Sequence, residues 1–562
     1  MPFDHRKYQP IKPVKHRARC WPDRVIEQAP QWCSVDLRDG NQALIEPMTV
    51  AQKCRLFDTL INIGFKEIEV GFPAASQQDF DFVRRLIDEE RIPDDVTIQV
   101  LTQARQDLIS RSFEALAGAP RAIMHVYNST SVVQRERVFK KDKAGIVDIA
   151  VAGAQWVAEY AAQYPDTHWT FEYSPESFTA TELDFAVDIC NAVIDVWQPC
   201  SDQPVIINLP ATVEVSTPNV YADQVEWFGE HINRRDAVII SLHTHNDRGC
   251  AVAAAELGLL AGADRIEGTL FGNGERTGNM DIIIMAMNLY SQGIDPQLDF
   301  SKMDHIIECA TDCTQLPIHP RHPYVGDLVY TAFSGSHQDA INKCLSQQTD
   351  EEPWQVAYLP IDPTDLGRSY QEVIRINSQS GKGGVAYIME SEYGFQLPRW
   401  LQIDFSAVVQ RSAEKSQSEL TPEQLWRVFQ KRYLSHSSPY QLESYVATYD
   451  QQDQVDAKIL NEWITTKISG CGNGALAAFV AALSAQTGID IEVSNYSQHA
   501  LEVNAKAGGN SGKAAAYVQI RCKDDLHTAV AVHSDILSAS FDAVLTAINQ
   551  YHNRVTPKEV AG

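Results

Sequence analysis

A closed (β/α)8 barrel, a TIM barrel, followed by small helical segments and a C-terminal α+β domain of two βββα units is the architecture this sequence predicts. Three observations carry the prediction. Between residues 30 and 275 a short β-rich run ending in polar residues, followed by a longer helical stretch, recurs eight times. Successive runs start about 25 to 47 residues apart, the spacing of βα units joined by short loops. From about residue 433 a different order, three strand-like runs and then a helix, occurs twice.

Residues 1–30 form an arm whose basic stretch, Arg6 to Arg19, reads as a packing or solvated segment. The eight runs are QWCSVDLRD (31–39), KEIEVGFP (66–73), VTIQVLTQ (96–103), AIMHVYNS (122–129), WTFEYSPE (169–176), VIINLPAT (205–212), VIISLHTHND (238–247) and RIEGTLFGNGE (265–275). Helical stretches such as Ser76–Arg91, Lys143–Tyr164, Leu183–Trp197 and Cys250–Ala261 separate them. An open doubly wound sheet uses the same alternation, but it seldom carries eight units and opens on a Gly-rich turn. Here the first run leads into LRDGNQ, so the barrel, assigned to 31–326, is preferred. Residues 327–432 read as helical linkers, with loops at NSQSGKGG (377–384) and the polar run Ser412–Ser418. In 433–562, SYVATYD, VDAKILNE and WITTKISG precede a helix at Gly474–Gln486. DIEVSNYSQHA, AAAYVQIRC and TAVAVHSD precede another at Ile536–Tyr551.

Composition narrows the function. The chain has 562 residues, 47 Lys+Arg and 73 Asp+Glu, a net charge of −26 that argues against nucleic acid or an anionic membrane as partner. The longest apolar run, Ala475–Leu483, is far short of the roughly 18 to 20 residues of a spanning helix, and no apolar segment follows the basic N-terminus. Eleven cysteines without paired spacings, Cys309 and Cys313 being a lone C-x3-C, point to reduced thiols in the cytoplasm rather than a zinc site.

On a barrel, chemistry sits at the C-terminal strand ends. His243 and His245 stand two apart on the seventh run, so both rings face one side of a strand. Asp39 ends the first run beside Arg38, and the loop Phe271–Asn279 offers oxygen ligands. Two imidazoles, a carboxylate and open positions describe a catalytic divalent-metal site. His125, Ser174, Glu176 and Thr212 add a polar rim above strand interiors that read as apolar. The glycines of GNGERTGN and AGGNSGKA lack phosphate-loop spacing and read as turns.

LRDGNQ, HTHND and FGNGERTGN resemble the three signatures of the metal-dependent Claisen-condensing barrel family, which includes isopropylmalate, homocitrate and citramalate synthases and, as a relative, hydroxymethylglutaryl-CoA lyase. The whole chain is similar to the long bacterial 2-isopropylmalate synthase group. The lyases carry a cysteine in the loop after the eighth strand, and this loop has none, which favours condensation. The resemblance implies acetyl-CoA and 2-oxoisovalerate as substrates, 2-isopropylmalate as product, and a homodimer inhibited by leucine. It implies a divalent metal, Mg²⁺ ahead of Mn²⁺ or Zn²⁺, with K⁺ as activator. It assigns the metal to Asp39, His243 and His245 with Asn279 near or in the shell, and the charge beside the acyl oxygen to Arg38. The keto-acid pocket falls to His125, Ser174, Glu176 and Thr212, and His337 and Tyr370 come from the partner. The general base is Glu176 or a group linked to His337. The effector region comprises Gly472, Gly474, Tyr496 and Ala500. Citramalate or homocitrate synthesis is the nearest rival, and a catalytically silent barrel with a leucine-sensing module is a rival of another class.

Overall fold

The computed structural model describes the chain except residues 1–3, 9–10, 17, 333, 350, 369–381, 417–419, 435–437, 450, 462, 502–511, 524 and 556–562. Two compact units emerge, residues 1–329 with 363–368, and residues 330–362 with 369–562.

In the first unit, β1 (Gln31–Ser34), β2 (Glu67–Gly71), β3 (Thr97–Gln103), β4 (Arg121–Ser129), β5 (His168–Glu176), β6 (Val205–Ala211), β7 (Val238–Thr244) and β8 (Arg265–Gly268) close a parallel barrel in sequential order. β1 pairs with both β2 and β8, which seals it. The eight runs become these eight strands, because each apolar, β-branched segment is bounded by a helix cap or turn. Thr49 caps the helix Val50–Ile63 with a capping box, and Ser76 caps Gln77–Asp88 by accepting from Asp79 N. The carboxylate of Asp79 in turn accepts from Phe72 N (2.9 Å) and Lys53 Nζ (2.5 Å), which fixes the end of β2.

The first run departs from a plain strand. After Ser34 the chain winds into a wide helical turn, Asp36–Gly40, whose residues are all buried. Asp36 drives this: it accepts from Ser34 Oγ (2.8 Å) and from Leu270 N (3.0 and 3.1 Å), so the turn after β1 is fastened to the end of β8. The N-terminal arm packs rather than floats. His16 pairs with Glu226 (2.9 Å), and Arg19 reaches Asp223 by both guanidinium edges, on the helix Pro218–His231.

The expectation of apolar strand interiors is corrected by the structure. Inside the barrel Glu69, Gln99, Glu172, Arg265 and Glu267 are all at most 1% exposed. They lie at inward positions of their strands and, Glu172 apart, hydrogen-bond to one another: Arg265 donates to Glu67, Glu267, Ser241 and Gln99. Buried charges are tolerable only when so paired.

In the second unit the helices Gly335–Leu345, Lys382–Tyr393, Arg399–Ser416 and Pro422–Phe429 precede two three-stranded antiparallel sheets. Two expected loops are corrected. The polar run after Ser412 continues the helix to Ser416, since Ala, Glu and Lys are good helix formers, and Lys382–Gly384 already belongs to a helix. The rest of both segments lies outside the described residues.

The first sheet is β9 (Tyr440–Thr448), β10 (Asp453–Asn461) and β11 (Ile464–Gly472), with β10 central. The second is β12 (Ile491–Leu501), β13 (Lys513–Cys522) and β14 (Asp525–His533), with β13 central. The helices Ala475–Thr487 and Ile536–Val555 complete the two βββα units. Phe479, Leu483, Phe541, Val544 and Ile548 join Val455, Ile459, Val518 and Ile520 in one core. Each such side chain contributes about 1.5–3 kcal/mol. β13 is buried on both faces, since Ala515 and Tyr517 pack with Leu401, Phe405 and Tyr433 of the helical segment. Gly472 is required by packing: a Cβ there would lie 2.5 Å from Ala478 N.

Candidate active site

Each barrel strand contributes alternate residues to the mouth, so i, i+2 pairs recur: His125 and Tyr127 from β4, Ser174 and Glu176 from β5, His243 and His245 from the end of β7. With Arg38, Asp39, Gln42, Phe72, Leu101, Asn208, Pro210, Thr212, Glu275 and Arg276 they line one cavity of about 400 Å³.

At its floor Asp39, His243 and His245 present ligand atoms within 4.8 Å of one another. Asp39 Oδ2 is 3.2 Å from His245 Nε2 and 3.5 Å from His243 Nε2, and the two Nε2 atoms are 3.2 Å apart. Ligands at about 2.1 Å from an octahedral ion lie about 3 Å from one another. The opposite nitrogens are already committed: His243 Nδ1 pairs with Glu267 Oε2 (2.7 Å), and His245 Nδ1 with the Thr212 carbonyl (2.7 Å). That arrangement turns both Nε2 lone pairs inward, as a metal requires. Asn279 is bridged to His245 through the backbone, is 2% exposed, and leaves its Oδ1 without a hydrogen-bond partner among the described residues. The set fits a divalent cation.

The loop that brings Asn279 there depends on glycine. Gly278 has φ +100°, and a Cβ on it would lie 2.0 Å from Gly272 O, so the turn closes only without a side chain.

The charges agree with a cation site. Burial alone would raise the Asp39 carboxyl, yet Arg38 and the two imidazoles hold it well below the usual range. Burial opposes a charge on His243, but Asp39 and Glu267 overcome it and push its pKa up to about 9. Arg38, buried, donates Nη1 to Asp39 (2.8 Å) and Nε to Glu69, which leaves Nη2 without a hydrogen-bond partner among the described residues.

Around the floor, Ser174 Oγ pairs with His125 Nε2 (2.7 Å) and accepts from Asn208 Nδ2 (3.1 Å). Thr212 Oγ accepts from Ser177 N (2.9 Å), so its own proton faces outward bonds. Glu176 accepts from Ser129 Oγ. Arg276 grips Asp247 (2.7 and 3.1 Å) and the Thr212 carbonyl (2.6 Å).

Thus Arg38, Asp39, His125, Ser174, Glu176, Thr212, His243 and His245 share one cavity, with Asn279 behind it. His337 lies in the second unit, exposed and stacked on Tyr358 at 4.0 Å; Tyr370 lies outside the described residues. In the C-terminal sheets Gly472 ends β11 and Gly474 precedes the next helix at φ +103°. Tyr496 and Ala500 lie on β12, and Tyr496 pairs its hydroxyl with Ser540 (2.7 Å). Sequence reasoning missed Glu69, Gln99, Asn208, Glu275 and Arg276. The signal for the first three was an isolated polar residue at the inward phase of a strand. The last two sit in a loop read for its glycines and its oxygen ligands.

Comparison with known proteins adds three family matches: HMGL-like over residues 29–309, alpha-isopropylmalate synthase post-catalytic domain-like over 327–390, and LeuA allosteric (dimerisation) domain over 419–552. The chain is 55% identical to the 2-isopropylmalate synthase of Pseudomonas entomophila (strain L48) over 549 residues, 97% of each. It is 54% identical to that of Parafrankia sp. (strain EAN1pec) over 561 residues, 98% of each. Among solved structures, hydroxymethylglutaryl-CoA lyase from Pseudomonas aeruginosa is 19% identical, with a TM-score of 0.43 over 53% of this chain and 96% of that one.

Proposed function

The chain belongs to the 2-isopropylmalate synthase family, and from that premise we propose that it condenses acetyl-CoA with 2-oxoisovalerate to give 2-isopropylmalate and free CoA, a step of leucine biosynthesis, in the cytoplasm. The observation that carries the site assignment is the convergence of Asp39, His243 and His245 in a cavity that Phe72, Leu101, Tyr127 and Pro210 also line.

A divalent metal, Mg²⁺ in this reading, held by Asp39, His243 and His245 with Asn279 beside them, supplies the Lewis acidity that polarises the keto carbon of a chelated 2-oxo acid. The chain's own groups do the rest. Thr212 can donate its hydroxyl proton to the substrate carboxylate, because its oxygen is already an acceptor for Ser177 N. Arg38 is clamped by two carboxylates, so its remaining edge meets the enolate oxygen of acetyl-CoA without reorganising. Glu176 and Glu275 are the cavity carboxylates with no ion pair to a guanidinium among the described residues, and one of them removes the methyl proton. His337 and Tyr370, from the partner of a homodimer, then serve hydrolysis of the product thioester. The domain over 419–552 binds leucine and reports it to the barrel.

The cavity lining also selects the oxo acid. Asp39, Glu69 and Asp247 compensate the charges of Arg38 and Arg276, so among the described residues of the cavity the distal carboxylate of 2-oxoglutarate meets no uncompensated positive charge, and pyruvate leaves the apolar side chains uncovered. Thiol release from acetyl-CoA with the three oxo acids and Mg²⁺ tests this. 2-Oxoisovalerate should exceed pyruvate in kcat/KM by about 10–200-fold. Preference for either rival substrate assigns the other synthase activities, and a flat assay with all three would favour a silent sensing barrel.

A further inference from the structure

We propose that Glu172 is kept as a neutral carboxylic acid that donates a hydrogen bond to Glu267, and that it is thereby a positioning residue for His243. Glu172 lies on β5 directly below Ser174, fully buried, in a ring of charged and polar side chains. Facing it are Glu69 from β2, Gln99 from β3, His125 from β4, and Arg265 and Glu267 from β8. Its neighbours hold it at arm's length: His125 Nδ1 is 3.4 Å away and Arg265 Nη1 3.6 Å. Neither of its oxygens has a hydrogen-bond partner among the described residues. A fully buried carboxylate so placed is badly solvated, whereas a carboxylic acid needs only one acceptor.

Glu267 is that acceptor. Its Oε1 accepts from Arg265 Nη1 (2.6 Å), and its Oε2 pairs with His243 Nδ1 (2.7 Å) and accepts from Asn208 (3.2 Å). Those donors stabilise its charge. Nη1, the Arg265 nitrogen nearest Glu172, spends its two protons on Ser241 and Glu267. Glu172 and Glu267 carboxyl oxygens lie within 4.8 Å of each other, both buried; charging both is costly, so the pair keeps one proton, and the donors around Glu267 leave it on Glu172. The electrostatics run the same way. Burial first, and then the charge of Glu267, push Glu172 well above the usual range.

The consequence reaches the mouth. A proton on Glu172 turns what would be repulsion into a hydrogen bond that fixes Glu267, and Glu267 sets the ring of His243 with Nε2 inward. An ionised Glu172 would add a fourth carboxylate to Asp39, Glu69 and Glu267 in the same barrel interior. The positioning role rests on the metal reading above; the protonation state does not.

The test uses the full-length chain with three readouts. The infrared difference spectrum near neutral pH, parent minus Glu172→Gln, should show the carbonyl stretch of a protonated carboxyl that the variant lacks. If no such band is lost, Glu172 is ionised and the proposal falls. Mn²⁺ titration is the second readout. Glu172→Gln keeps a donor for Glu267 and should bind within about threefold of the parent, whereas Glu172→Leu, neutral without a donor, should bind about tenfold more weakly. Leu binding like the parent, or Gln binding tenfold more weakly, overturns the positioning role. A parent that binds no Mn²⁺ overturns the metal reading while the infrared band still decides the proton. The pH dependence of the band in the parent is the third readout and needs no variant: it should persist from pH 6 to 8, and loss of the band across that range overturns the assignment.

Discussion

Replacing Arg38 by lysine isolates the electrostatic step from the metal. Arg38 spends Nε on Glu69 and Nη1 on Asp39, and offers its third edge to the cavity. Lysine keeps the positive charge but has one ammonium on a flexible stem, so it cannot hold both carboxylates and still meet an enolate oxygen. Two magnitudes follow. The lost contact is made only as negative charge develops, so kcat should fall about 10²–10³-fold, or about 2.7–4 kcal/mol, with KM for the oxo acid nearly unchanged. One buried carboxylate also loses a charge-assisted hydrogen bond, which costs about 1.5–3 kcal/mol of barrel stability. Free-thiol release under saturating acetyl-CoA gives kcat and KM, and urea unfolding of the same preparation gives the stability. A variant within fivefold of the parent in kcat, or one whose loss lies wholly in KM, would refute the role given to Arg38.

Three further outcomes are expected. His243 in the metal-free site titrates at about 9, so below that pH a divalent ion must displace its proton. Metal affinity measured by calorimetry should therefore rise about tenfold per pH unit between pH 7 and 8 and flatten above about 9; an affinity independent of pH would contradict the ligand assignment. Asp36 is pushed up by burial from 3.8 to about 7, so the folded chain binds a proton there that the unfolded chain releases. Stability from this group is present at low pH and is lost as pH rises from about 4 to 7. Asp36→Asn, which can still accept from Leu270 N, should flatten that part of the urea-midpoint profile relative to the parent. Tyr496→Ala removes the bond to Ser540 in the C-terminal sheet far along the chain from the barrel residues. It should raise the leucine concentration for half-inhibition at least tenfold and leave uninhibited kcat unaltered; an unshifted inhibition curve would move the effector site elsewhere.

The fold was legible wherever a segment's local pattern and its place in the structure agree. The eight runs and the two βββα units were readable because apolar β-branched stretches alternated with capped helices at regular spacing. Boundaries slipped where a single side chain overrode the pattern, as when Asp36 drew 36–40 into a turn anchored on Leu270. The triad was readable because His-x-His in a strand has only one geometric outcome, and Asp39 lies in the turn that follows the strand paired with β8. The charged interior was not. A Glu in KEIEV, FEY or RIEG looks like an outward residue until the closed sheet fixes which phase faces inside. Gly472 carries a packing demand that the sequence did not reveal: a Cβ there would press on the backbone of the helix that follows β11, so Gly472→Asp would disrupt packing and cannot by itself report on an effector.

The central claim is that Asp39, His243 and His245 hold the ion that binds the oxo acid. Anomalous diffraction from crystals grown with Mn²⁺ and 2-oxoisovalerate tests it most directly. The account predicts one strong peak about 2.0–2.3 Å from Asp39 Oδ and from Nε2 of both histidines, with two substrate oxygens completing the same shell. A strong peak elsewhere in the barrel, or substrate bound with no peak between these three residues, would contradict it.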